Sequence, residues 1–176
     1  DPRQLSKSEL ERLSRAYIQA FARTVGPDRD IPAPDVYTNA MIMGWMADEY
    51  GQIVGSVSPA VITGKPIALG GSLGRNDATA RGGYYLVRHL AKELGLEGRH
   101  TVAIQGFGNA GQYYAELAAA DGHLVVAVSD STGAIAKPDG LDVPKLLAGK
   151  QAGRRVTDLA AELGAKVIDP AALIAV

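Results

Sequence analysis

Gly106-Phe107-Gly108-Asn109-Ala110-Gly111 is the stretch on which the reading of this chain turns. It has the G-x-G-x-x-G form, which alone is common in glycine turns. Here it follows a short apolar run, Thr101 to Gln105, and opens an Ala-rich helical run, Asn109 to Ala120. A second apolar run, Leu124 to Ser129, completes a strand–helix–strand unit, the setting in which the pattern gains meaning. Each glycine then has its own reason. Gly106 permits the tight turn, Gly108 lets backbone approach a pyrophosphate without a Cβ in the way, and Gly111 lets helix and strand pack closely. Phosphates sit on the free N–H groups at the positive end of the helix. An acidic residue is expected where the second strand stops, to accept from a ribose hydroxyl, and Asp130 stands there. An ordinary glycine turn with a solvated Asp130 is the alternative. A carboxylate at that point slightly favours NAD, because it repels the extra phosphate of NADP. Ser131, Thr132 and Lys137 follow and can hold that phosphate if the loop folds back, so NADP stays open.

Outward from this unit, the chain reads as alternating helices and strands, an α/β pattern with a parallel sheet and crossover helices. Ser8 and Glu11 have capping-box spacing for a first helix, and Leu10, Leu13, Tyr17 and Phe21 recur along it with Ile18 widening the stripe. Gly26-Pro27 ends it. Prolines 32 and 34 make the next segment a stiff extended loop. Thr38 or Asn39 caps a second helix running to about Tyr50, and Ala60 to Thr63 reads as short and β-rich. The Gly-rich stretch Gly70 to Arg75 marks a domain boundary near residue 70. Asn76 is expected to cap a long helix ending near Leu94-Gly95, with Gly82 and Gly83 weakening it unless another backbone packs there. Beyond the second strand, Asp139-Gly140 reads as a turn, Val143 to Leu147 as a short helix, and Lys166 to Ile168 as a third strand.

Composition excludes several classes. Of 176 residues, 47% are apolar, which argues against disorder, and a formal net charge of -1 with no basic stripe argues against nucleic acid. There is no cysteine, hence no disulfide and no thiolate metal site; this suits a cytoplasmic setting. No run is long and apolar enough for a membrane span, and no secretory signal opens the chain. His89, His100 and His123 lack metal-ligand spacing, so no metal is expected. The chain opens on Asp1 and closes on an apolar stretch, which suggests a piece of a longer protein.

Asp35 is the candidate chemical group. It stands on the proline-stiffened loop just before a helix, and a carboxylate so supported can shuttle protons if burial tunes it. The plainer reading is an Asp that only favours a helix dipole. Arg75 and Thr79, one helical turn apart at the start of the long helix, can together face a carboxylate, phosphate or nicotinamide amide; otherwise they are a surface Arg and a helix-face Thr.

The segments Asp30-Ile-Pro-Ala-Pro-Asp-Val-Tyr-Thr-Asn39, Gly44-Trp-Met46 and Asp48-Glu-Tyr50 resemble hexameric glutamate dehydrogenases of bacterial and archaeal type. Ile62-Thr-Gly-Lys-Pro66, Gly70-Gly-Ser-Leu-Gly-Arg75, Ala78-Thr-Ala-Arg-Gly82, Ala103 to Gly111 and Ala127-Val-Ser-Asp-Ser131 continue the likeness in order, to about Leu141. The resemblance implies the end of an α/β substrate-binding domain over 1–70, then the first half of a Rossmann-like dinucleotide-binding domain over 71–176. It implies Asp35 as the catalytic aspartate. Arg75, Thr79 and Asn109 fall at the nicotinamide end. The stretch Gly106 to Gly111 falls at the pyrophosphate, and Asp130 with Ser131 at the adenosine ribose. The implied substrates are glutamate, 2-oxoglutarate and ammonia, with NAD or NADP, in a homo-hexamer of the full-length protein. The family's catalytic lysine and substrate-carboxylate lysines lie upstream of Asp1, so the 176 residues alone are expected to be inactive. Leucine, phenylalanine and valine dehydrogenases share the glycine motif and the aspartate and remain alternatives. So do a non-catalytic dinucleotide-binding regulatory subunit and an enzyme of one-carbon metabolism.

Overall fold

The structure is a computed structural model that describes residues 1–96 and 98–175, with Arg3 described by its backbone alone. The chain divides into two compact units, Asp1–Arg75 and Asn76–Val176.

The first unit is built on two helices, α1 (Lys7–Phe21) and α2 (Ala40–Val54). The capping box at the head of α1 is Ser6 with Glu9, not Ser8 with Glu11: Ser6 Oγ accepts from Glu9 N–H, and the Glu9 carboxylate accepts from Ser6 N–H at 2.8 Å. Both residue pairs have the spacing, and the earlier one wins because only it precedes the first helical turn. The face of α1 turned to the core carries Leu10, Ser14 and Ile18, whereas Leu13, Tyr17 and Phe21 form a second, exposed apolar stripe. The α1–α2 contact is apolar around Ile18, Ile42, Met43 and Met46. Its polar edge is tied by Arg15, which reaches Glu11, Asp48 and Glu49. Asn39 caps α2, accepting from Ile42 N–H at 3.1 Å. The helix runs past Tyr50 to Val54, where Gly55 at φ 72 ends it in the left-handed conformation.

Ala60 to Thr63 is not a strand. Pro59–Val61 is a 3-10 turn, and Val61 and Ile62 are apolar because they plug the core beside α2. Among the described residues the only β-pairing in this unit is an isolated bridge, Val25 to Asp30.

The second unit opens with α3 (Ala78–Glu93), then β1 (Thr101–Gln105), α4 (Asn109–Ala120), β2 (Leu124–Asp130), β3 (Gly133–Ala136), α5 (Val143–Gln151), α6 (Ala160–Leu163) and β4 (Lys166–Ile168). The sheet order is β1-β2-β3-β4. Only β1 and β2 pair in parallel, through the α4 crossover; β3 runs antiparallel to both β2 and β4. The parallel sheet with crossover helices expected from the sequence is thus realised between β1 and β2 alone, and β3 and β4 depart from it. Ser131-Thr132 forms a two-residue hairpin loop, and its return strand is too short and too rich in alanine to show as an apolar run. One face of the sheet packs Ile104, Phe107, Val128, Ile135 and Leu146, and the other packs Ala127, Ala134 and Leu173.

Asp77, not Asn76, is the N-cap of α3, and it makes no side-chain cap. Its carboxylate binds Arg81 instead. Tyr84 seats α3 against α4: its hydroxyl donates to Asp121 at 2.8 Å and its ring meets Tyr114 edge-on. A Cβ on Gly82 or Gly83 meets nothing within 4 Å, so no close backbone in the described chain accounts for them. Among the described residues no helix is long and apolar enough to cross a membrane, and no three His, Cys, Asp or Glu stand together as a metal cluster.

Candidate dinucleotide site

The glycine loop lies at the carboxyl ends of β1 and β2, where open α/β sheets place their ligands. Gly106 has φ 91, a backbone that disfavours any side chain. Gly111 sits in the first turn of α4 hard against the loop: a Cβ there falls 2.2 Å from Gly106 O and 3.2 Å from Ile104 Cγ2. A Cβ on Gly108 meets nothing, so the space over it is open.

Two of the loop's N–H groups are already used. Ser129, at the end of β2, accepts from Phe107 N–H at 2.6 Å and from Gly106 N–H at 3.1 Å through its carbonyl, and its hydroxyl adds a 3.3 Å contact to Gly106. Ser129 thus sets the loop's height over the sheet, a role the sequence hides because Ser129 looks like one more strand residue. The N–H groups of Asn109, Ala110 and Gly111 precede the first intrahelical acceptor, and the N-cap, Gly108, brings no side chain to them. An anionic pyrophosphate fits that end, with the helix dipole behind it.

A cavity of about 610 Å³ opens beside the loop. Gly106, Phe107, Gly108, Asp130 and Ser131 line it, and so do Gln112 and Lys150. Phe107 is its buried floor, 1% exposed. Asn109 ties α4 to the chain ahead of α3, its amide donating to Asn76 O at 2.9 Å.

Asp130 does not stand ready for a ribose diol. One carboxylate oxygen accepts from Lys150 Nζ at 2.7 Å and Val156 N–H at 3.2 Å; the other accepts from the backbone and hydroxyl of Thr132. Burial alone pushes this carboxyl up, but the hydrogen bonds from Lys150, Thr132 and Val156 outweigh it and hold it at about 2. Asp130 is thus a latch joining the end of β2 to α5. Lys150, twenty positions on, is the residue that sequence reasoning missed, and no local pattern announces a partner so distant. The pair also neutralises the charge from which a preference for NAD was argued.

Thr79 is exposed in the first turn of α3, while Arg75 precedes the helix rather than sharing a face of it. Arg75 belongs to the first unit and lines a separate cavity there, with Thr63, Lys65 and Ser72. Asp35 lies in the same unit and is exposed, so the described residues do not supply the burial expected to tune it.

Known proteins place this architecture. Residues 70–176 match the family described as glutamate/leucine/phenylalanine/valine dehydrogenase, and residues 1–52 match the dimerisation domain of the same family. The NADP-specific glutamate dehydrogenase of Synechocystis sp. is 50% identical over 160 residues, 90% of this chain and 37% of the relative. The catabolic NAD-specific glutamate dehydrogenase of Bacillus subtilis is 48% identical over 160 residues, 90% of this chain and 38% of that protein. A crystal structure of the hetero-hexameric glutamate dehydrogenase of Thermus thermophilus superposes with a TM-score of 0.81 at 44% identity, over 86% of this chain and 37% of that one. The chain therefore spans under two-fifths of the length of these relatives. Across both units, this chain belongs to the glutamate/leucine/phenylalanine/valine dehydrogenase family.

Proposed function

We propose that the chain is part of a glutamate dehydrogenase, which interconverts glutamate with 2-oxoglutarate and ammonia using NAD or NADP. The observation that carries this reading is the identity of 48–50% to glutamate dehydrogenases over 90% of the chain. The glycine loop supports it, since its open face and uncapped helix start suit a pyrophosphate. Relatives of both cofactor specificities are about equally similar, and Asp130 is paired with Lys150, so neither cofactor is favoured.

In this reading Gly106 to Gly111 hold the pyrophosphate, with Phe107 under the loop and Ala110 N–H at the helix start. Ser131 faces the adenosine ribose. Arg75, Thr79 and Asn109 serve the nicotinamide end. Bound nicotinamide supplies a hydride acceptor or donor. Asp35 exchanges protons with the substrate amino group and with the water that replaces it. The whole protein works in the cytoplasm as a homo-hexamer built through the first unit, which matches the family's dimerisation domain over residues 1–52.

Oxidation of NADH and NADPH by the full-length gene product, with 2-oxoglutarate and with or without ammonium, tests the reading. Ammonium-dependent oxidation is expected with at least one cofactor. Turnover only with branched or aromatic 2-oxo acids moves the protein to a sister enzyme of the family. Silence with all of them leaves a dinucleotide-binding subunit.

A further inference from the structure

Asp35 hangs on a loop that is braced on both sides. Downstream, Thr38 closes a turn: its hydroxyl accepts from Asp35 N–H at 2.5 Å, and its own N–H donates to Asp35 O at 3.0 Å. Between them Tyr37 is held at φ 61, a left-handed conformation rare for an aromatic residue, so the turn is tightly determined. Upstream, the brace is the loop around Gly64. Thr63 N–H donates to Pro32 O at 2.9 Å. Gly64, at φ 67, lies flat on the ring of Pro34: a Cβ there falls 2.4 Å from Pro34 Cγ and 2.6 Å from Pro34 Cδ.

The Gly64 loop is itself firmly set. Lys65 is 9% exposed, and its ammonium donates inward to Ile62 O at 2.8 Å. Behind it, a Cβ on Gly71 falls 2.2 Å from Lys65 O, so this glycine passes directly across the back of the loop. Pro66 in turn packs on α2 at Gly44. A side chain added at Gly64 cannot be absorbed by retreat of its own loop. It has to push Pro34, whose ring is fused to the backbone that leads directly into Asp35.

From this juxtaposition we infer that Gly64 is a positioning residue for Asp35, setting the carboxylate through the Pro34 ring. The inference rests on the reading of Asp35 as the proton-exchanging group. Ordinary contact begins at 3.4 Å, so an added Cβ displaces the Pro34 ring, and Asp35 with it, by about 1 Å. A displacement of that size in a reacting group costs roughly 100-fold in rate.

The test uses the full-length enzyme with Gly64→Ala, Gly64→Ala/Pro34→Ala and Asp35→Asn, reading kcat, KM for 2-oxoglutarate, NADH affinity and the pH profile of kcat. Gly64→Ala is expected to lower kcat roughly 100-fold and to move the pH profile, with NADH affinity unchanged. Truncating Pro34 in the same chain is expected to recover part of the loss, because the colliding ring atoms are gone while the left-handed backbone at Gly64 still disfavours alanine. The inference is overturned if Asp35→Asn is inactive while Gly64→Ala keeps its kcat. It is also overturned if the double variant recovers nothing. Should Gly64→Ala fail to fold, a folded double variant decides: recovered kcat with the parent's pH profile supports the inference, and a folded but inactive protein overturns it. Full activity in Asp35→Asn removes the reading of Asp35 itself, and with it any role for Gly64 in placing it.

Discussion

Gly111→Val is expected to abolish NADH binding while leaving the rest of the sheet intact. The first methyl-sized atom already collides with Gly106 O at 2.2 Å and presses on Ile104. The helix cannot withdraw, because Ala115 and Ala118 farther along α4 are fully buried in the core. The glycine loop has to move instead, breaking the contacts of Gly106 and Phe107 N–H with Ser129. Overpacking of this kind costs about 1–3 kcal/mol. The larger effect is on the ligand, since the displaced loop no longer frames the helix start. Quenching of NADH fluorescence and thermal melting check both parts. A variant that binds NADH as tightly as its parent defeats the assignment of this loop to the pyrophosphate.

Asp130→Ala is expected to destabilise the second unit strongly. Lys150 and Asp130 are only 17% and 12% exposed at their side chains. Removing the carboxylate strands the ammonium and leaves Val156 N–H and Thr132 N–H without their acceptor. Breaking a fully buried pair from one side costs about 3–5 kcal/mol, and this part-buried pair costs less than that. The effect has a pH signature. The Asp130 carboxyl is held at about 2 against an ordinary 3.8, so folding favours its charged form. Its contribution is complete above the unfolded value and is lost as pH falls toward the folded one. From the size of the shift, that contribution is about 2 kcal/mol. Denaturant unfolding of parent and variant at neutral pH and near pH 2 should show the gap between them narrowing in acid. A gap that stays constant shows that the latch is not ionic.

How far the sequence could be read depended on whether the deciding contacts were local. The limits of α4, Asn109 to Ala120, are legible because glycines punctuate one end and Asp121-Gly122 the other. The core of β1 is legible for the same reason. Gly111 also yields its purpose to pattern alone, since the motif specifies a close approach and the structure supplies it at Gly106 O. The strand Gly133–Ala136 is not legible. Its side chains are small, and its pairing to β2 and β4 decides its identity. The exposed stripe of Leu13, Tyr17 and Phe21 misleads because it has helical spacing and apolar character without facing the core of this unit. The position of Asp130 at the strand end is legible, but its partners are not, because Lys150 and Val156 reach it only in three dimensions. The roles of Ser129 and Gly64 are hidden for a similar reason: one acts through a carbonyl every residue has, the other through the absence of a side chain.

The hairpin between β2 and β3 also bears on the order in which the second unit assembles. Asp130 and Gly133 pair across a loop of only Ser131 and Thr132, whereas β1 meets β2 only after the whole segment from Gly106 to His123 has been closed. Short closures lose less chain entropy and form sooner. The β2–β3 ribbon is thus expected to pair first, with β1 and α4 docking onto a strand whose register is already set. The dinucleotide loop is then completed after the ribbon, when Ser129, already held there, receives the N–H groups of Gly106 and Phe107.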